Sequence, residues 1–257
     1  MNELFFNYFM LRKAVFPVLK KKIVIFFVKG ESGVGKSQVS IYLACKFLDL
    51  FNKVKGTDFK LDLEKDIIYQ PLEYRQKINY FLNNPKPVMI IEEMRFLMDS
   101  KLWQKAINKM LSDINATIRS IKATKWGYGA LFIYNSQFFS DLTKDMRRTI
   151  TYLVDLKEHE DEEEQTSNFL CYGRFLKLYE LKLKENYVLM EKRERIKGID
   201  RKNKFMIDEI YFKQLPNDIY NKFNILSSEA KAKVQNMRME KLEREIAKEY
   251  GLKLEEK

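Results

Sequence analysis

The chain has 257 residues, 46% of them apolar and 14% aromatic, which is enough to bury a sizeable core and too apolar for a disordered segment. Its formal charge of +11 favours a polyanionic partner, either nucleic acid or an anionic membrane surface, although solvated lysine-rich faces leave the same surplus. Two widely separated cysteines, Cys45 and Cys171, argue against a disulfide framework and read as core thiols of a reducing, cytoplasmic interior, while one histidine, His159, argues against histidine metal sites and histidine-dependent triads.

The N-terminal run LFFNYFMLRKAVFPVL is interrupted by Asn7, Arg12, Lys13 and Pro17 before it reaches membrane-spanning length, and no small-residue cleavage site follows it. The expectation for residues 1–21 is a leading element packed on the main sheet; a surface-seeking amphipathic segment is the alternative. Lys22 to Val28 then reads as a buried β-branched and aromatic strand. A helix follows from Lys36, with Val39, Leu43, Phe47 and Leu50 on one face and Gly56 as its break.

Asp66 to Tyr69 suggests a short strand, and Pro71 opens a helix that Asn83 to Pro87 ends. The run PVMIIEE is a second buried strand that finishes in Glu92 and Glu93. A long helix capped by Ser100 carries Leu102, Ala106, Met110 and Ile114 along one side. Gly127 and Gly129 precede a third strand, ALFIYNSQ, which ends in Asn135, Ser136 and Gln137. A short helix from Ser140 and a strand in TITYLVDL complete an alternation that predicts a mainly parallel sheet with helices on both faces.

Beyond Leu156 the texture changes. Six carboxylates between Glu158 and Glu164 predict an exposed loop beside His159, and from Phe169 to Glu194 the pieces FLKLYELKL and NYVLMEKRE suggest a small antiparallel ribbon. Residues 227–257 form a tail whose helix places Val234, Met239, Leu242 and Ile246 roughly on one stripe, to dock on its own domain or on a neighbouring subunit. The chain thus divides into a leading segment (1–21), a core (22–156), an acidic loop with a ribbon (157–226) and a C-terminal helix (227–257).

The stretch GESGVGKS fits G-x-x-x-x-G-K-[ST], with a strand before it and a helix after it. Glycines let such a loop curl until its N–H groups, from Gly33 to Ser37, converge on phosphate oxygens at the positive end of the helix. Lys36 would reach the β and γ phosphates, and the Ser37 hydroxyl would join a Mg²⁺ shell. The nucleotide-binding candidates are Gly30, Ser32, Gly33, Val34, Gly35, Lys36, Ser37 and Gln38. A strand parallel to the first would bring Glu92 to the metal and Glu93 to the water that attacks the γ-phosphate. Asn135, Ser136 and Gln137 would emerge at the same sheet edge, either as phosphate sensors or as strand-end caps.

This order of phosphate loop, acid-terminated strand and later strand ending in Gln resembles the P-loop ATPases with an additional strand and a catalytic glutamate. Among them it looks most like the FtsK/HerA group, which includes viral genome-packaging ATPases and Zot-like proteins. The resemblance covers about Lys22 to Leu156. It implies a P-loop NTPase three-layer α/β sandwich with a mainly parallel central sheet, plus a small β-ribbon and a C-terminal helical appendage. It also implies ATP with Mg²⁺ held by Ser37 and Glu92, Glu93 as catalytic glutamate and Gln137 as sensor. Arg119, Arg147 and Arg148 are candidates for the arginine that enters a neighbour's site, with Arg119 the marginal choice. The metal-side acid of the family is usually aspartate; here it is Glu92, so the roles of Glu92 and Glu93 are open to exchange.

The resemblance implies a motor that translocates or packages double-stranded DNA as a ring, a hexamer, touching the DNA backbone rather than reading bases. A Zot-like ATPase for export or assembly at a membrane surface is the alternative, although such proteins commonly carry a transmembrane helix and this sequence shows none. A nucleotide switch or small-molecule kinase is a third class, which needs a lid and neither Glu93 nor Gln137.

Overall fold

The computed structural model describes residues 3–70, 73–92, 117–137, 149–157, 169–177, 207–213 and 215–249. The leading segment is helical from Glu3 to Leu19: α1 (Glu3–Met10), a π-helical turn (Leu11–Val15) and α2 (Phe16–Leu19), the last begun by Pro17 in its first turn, where a missing N–H does no harm. It packs as the sequence predicts. Phe6, Phe9, Met10, Ala14, Val15 and Val18 are buried in one core with the strand that follows, and Phe6 stacks on Tyr42.

That strand is β1 (Ile23–Lys29), followed by α3 (Lys36–Lys55), β2 (Ile67–Ile68), α4 (Tyr74–Asn83) and β3 (Val88–Ile91). A helix over 117–125, here α5, is the end of the long helix expected from Ser100; the rest of that helix lies outside the described residues. Then come β4 (Ala130–Ser136), β5 (Tyr152–Lys157), β6 (Phe169–Lys177), β7 (Ile207–Lys213) and α6 (Asn217–Glu249).

The strand order in the sheet is β2-β3-β4-β1-β5-β6-β7. The first five are all parallel; β6 and β7 join antiparallel at the β5 side. The connection from β3 to β4 returns the chain toward β1, so β4 lies between the phosphate-loop strand and the acid-terminated strand.

Alternate side chains of a strand point to opposite faces, and the sheet therefore builds two cores. Val24, Phe26 and Val28 with Leu131 and Ile133 face the leading helices and α3. Ile25, Phe27, Met89, Ile91, Phe132 and Tyr134 face α4 and Ile118 of α5. The result is an α/β molecule with helices on both faces of a five-stranded parallel sheet.

The ribbon is continuous with this sheet through β5 and β6, and β6 begins at Phe169, where the ribbon region was expected to start. Its second strand is β7; NYVLMEKRE lies outside the described residues, as do the acidic loop, His159, the helix from Ser140 and the opening of the helix at Pro71. The C-terminal helix starts at Asn217, ten residues before the expected 227. Its early turns hold Phe223 and Ala230, both buried in the α3-side core, where the Phe223 ring meets Tyr69.

Candidate nucleotide site

The loop from Gly30 to Gly35 joins β1 to α3 at the carboxyl edge of the sheet. Gly33 and Gly35 take φ values of 90° and 91°, the left-handed region that costs an L side chain roughly 1–2 kcal/mol. Gly30 is required for space instead: a Cβ there would lie 2.6 Å from Val34 Cγ1 and 3.1 Å from Leu156 Cβ. Val34 is buried in the α3-side core, so its side chain anchors the loop to β5 and only its backbone belongs to the loop surface.

Gly35 caps α3 with no side-chain hydrogen bond, and the first turn of α3 contains no acid. Its N–H groups and the helix dipole are thus directed into the loop, which suits an anion. Lys36 folds back across the loop, donating to the carbonyls of Gly30 (3.0 Å) and Glu31 (2.6 Å). Ser32 is exposed.

Across from the loop, Glu92 follows β3 and is 7% exposed. The Ser37 hydroxyl donates to Glu92 Oε2 at 2.8 Å, and the Asn135 amide donates to Glu92 Oε1 at 2.6 Å. Ser40, one turn along α3 from Ser37, donates to Asn135 Oδ1. Four side chains from α3, the end of β3 and the end of β4 therefore form one connected set. A buried carboxylate is tolerable only with such partners. The same carboxylate acts on its surroundings: burial first and the Glu92 charge next push the Tyr69 phenol well above its usual range.

The Ser37–Glu92 pair offers two hard oxygen donors side by side. Among the described residues no group of three or more His, Cys, Asp or Glu stands ready to hold a metal. A donor pair of this kind fits Mg²⁺, which keeps waters and phosphate oxygens in its shell, better than a cation that needs a full protein cage.

The structure brings Lys36, Ser37 and Glu92 together as the sequence spacing predicts. Gln137 is half-buried directly after β4; Lys29 pairs with Ser136, so Gln137 follows at the level of Gly30. Ser136 is buried and, one residue along the strand, belongs to the opposite face from Asn135. Gln38 is buried, and its side-chain oxygen accepts from the Leu215 N–H at 3.0 Å, so any contact it makes with a phosphate falls to its backbone. Arg119 is exposed on α5, one turn before Lys122, whose ammonium binds the loop ahead of β3. Glu93, Arg147 and Arg148 lie outside the described residues.

Three features of the site were not foreseen in the roles they take. Ser40 had a legible signal, its three-residue spacing from Ser37 on one helix. Asn135 as a partner of Glu92 required the strand order. A third, the Lys29–Asp155 ion pair at 3.3 Å, closes the β1–β5 side of the same edge. No described helix is long and apolar enough to cross a membrane. Compared with protein-family models and with curated proteins, the chain matches none.

Proposed function

We propose that this chain is a Mg²⁺-dependent P-loop ATPase of the additional-strand class, a motor that moves or packages double-stranded DNA as a ring oligomer, a hexamer. The observation that carries the reading is the Ser37–Glu92 hydrogen bond, made across the mouth of the glycine loop with β4 inserted between β1 and β3.

In this reading the loop N–H groups and Lys36 bind the phosphates of ATP, with Lys36 leaving the Gly30 and Glu31 carbonyls to do so. Ser37 and Glu92 would hold Mg²⁺, which when bound would offset the negative charge of the phosphates. Asn135 fixes the orientation of Glu92 through Oε1, leaving Oε2 directed at Ser37. Glu93, next in sequence, is assigned the general-base role, and Gln137 the sensing of the γ-phosphate. Arg119 is assigned to a neighbour's site. The DNA assignment rests on the resemblance and on the +11 charge, through non-specific phosphate contacts.

The test is ATP hydrolysis by the full chain with and without double-stranded DNA. Lys36→Ala is expected to lower the rate by about 100-fold or more, since it removes a charge aimed at the transferring phosphoryl group. The parent rate should rise with DNA and fall back at high salt. A Lys36-dependent rate that is indifferent to DNA overturns the motor while leaving the ATPase standing.

A further inference from the structure

We propose that the outer face of the N-terminal helical segment docks on an anionic lipid surface while its inner face stays packed on the sheet. The inner face is committed to the core through Phe6, Phe9, Met10, Ala14, Val15 and Val18, so docking requires no unfolding. The outer face is unusual for a solvated helix. Leu4 is 75% exposed, Tyr8 53% and Phe16 43%. Arg12, Lys13, Lys20, Lys21 and Lys22 are exposed along the same segment, and from Leu4 to Gly30 the chain has no Asp or Glu.

Leu4, Tyr8, Arg12, Phe16 and Lys20 recur at every fourth position. In an α-helix a four-residue step overshoots one turn by about 40°, so five such residues would spiral around the axis. The π-helical turn at Leu11–Val15, closed by the Phe16 N–H on the Leu11 carbonyl, is wider and takes back part of that drift. It keeps the five residues closer to one line. Arg12 and Tyr8 are joined on that line, the guanidinium donating to the phenol oxygen at 2.7 Å while lying over the ring.

Apolar and aromatic side chains followed by cations, with Glu3 at the start of α1 the one acid before Glu31, suit the boundary between acyl chains and anionic headgroups, where long basic side chains reach the phosphates and the apolar groups leave water. A nucleic acid would answer the cations and leave Leu4 and Phe16 without a complement. The exposed apolar residues of α6, Met237, Met239 and Leu242, lack this bias because acids and bases alternate around them. None of the N-terminal residues belongs to the candidate nucleotide site, so the proposal stands independently of ATP hydrolysis.

The test is flotation of the full chain with phosphatidylcholine vesicles, with and without about 30% phosphatidylglycerol, in low and physiological salt. The parent should float only with the anionic vesicles. Leu4→Ser with Phe16→Ser should weaken partition by about tenfold, as should Lys20→Glu with Lys21→Glu and Lys22→Glu. All of these positions are on the surface, and circular dichroism checks that the variants fold. A Leu4→Trp variant should shift its emission to the blue with anionic vesicles alone. Equal partition of parent and variants overturns the proposal. So does loss of double-stranded DNA binding in these variants with vesicles ignored throughout, which would make the face a nucleic-acid surface. A fall in oligomeric mass on Leu4→Ser with Phe16→Ser, without vesicle binding, would make it a contact between copies of this chain.

Discussion

Asn135 is fully buried, and both ends of its amide are used: Nδ2 on Glu92, Oδ1 on the Ser40 hydroxyl. Removing it strands a carboxylate oxygen and a hydroxyl in the interior, and unpaired buried groups are expensive. Asn135→Ala should therefore lower the unfolding free energy by about 2–4 kcal/mol in urea titrations, against well under 1 kcal/mol for alanine at exposed Ser32. Asn135→Asp keeps the shape and reverses the chemistry at one atom. A second carboxylate then faces Glu92 where a donor stood, so one of the two must take up a proton, and the variant should lose stability as pH rises from 4 to 7 relative to the parent. Equal stability of the parent and both variants would show that the amide does not fix Glu92. Lys36, Ser37 and Glu92 were legible as site residues because a phosphate loop has a fixed spacing and an acid after a buried strand is conspicuous. Asn135 was legible as a sensor or cap at the ligand edge of the sheet but not as the partner of Glu92, because chain order does not say that β4 inserts beside β3.

Among the elements, α5 makes the least expected connection. Lys122 is fully buried; its ammonium donates to the carbonyls of Asn84 and Lys86 and lies 4.0 Å from the Phe81 ring centre. Next to it Lys86 pairs with buried Asp66, whose carboxyl burial pushes above its usual range. Burial pulls Lys122 from 10.5 down to about 7. The unfolded chain therefore holds a proton that the folded chain lacks between about pH 7 and 10.5. Stability should rise with pH across that window and be flat below it. Comparing the parent with Lys122→Met, in which the titrating group is gone, the difference in unfolding free energy should move by about 2 kcal/mol in the parent's favour between pH 7 and 9. A difference independent of pH would mean that the lysine stays charged on its carbonyls. The sequence marked α5 only as the end of a long helix, and a lysine there reads as solvated. Strands β1, β3 and β4 were legible because each is a dense apolar run buried on both faces. The start of α6 was not, although Ile219, Phe223, Leu226 and Ala230 stand four, three and four apart, because the charged turns downstream dominate the pattern.

At the scale of the molecule, α6 is tied to the candidate site by one residue. Gln38 follows Ser37 on the first turn of α3, and its side-chain oxygen holds the Leu215 N–H in the connection between β7 and α6. Around that bond Tyr42 meets Phe212 edge to face, and Leu215 and Phe223 are buried in the same core as Val39 and Leu43. The thirty-three residues of α6 extend about 50 Å, so a small rotation at its base is a large displacement at its far end. Its first turns are packed and its later ones expose Met237, Met239 and Leu242, which makes the base at Leu215 the place where its orientation is set. Gln38→Ala removes the side-chain acceptor of that N–H and leaves the packing in place. Amide exchange over residues 215–230 should then accelerate by about tenfold, corresponding to one lost hydrogen bond of roughly 1 kcal/mol or more, while Val88–Ile91 at the centre of the sheet keeps its protection. Uniform acceleration would mean that Gln38 supports the whole fold, and no change would mean that packing alone seats α6. The selective outcome would place the C-terminal helix under the control of the same helical turn that carries Ser37, so that whatever moves that turn also swings α6.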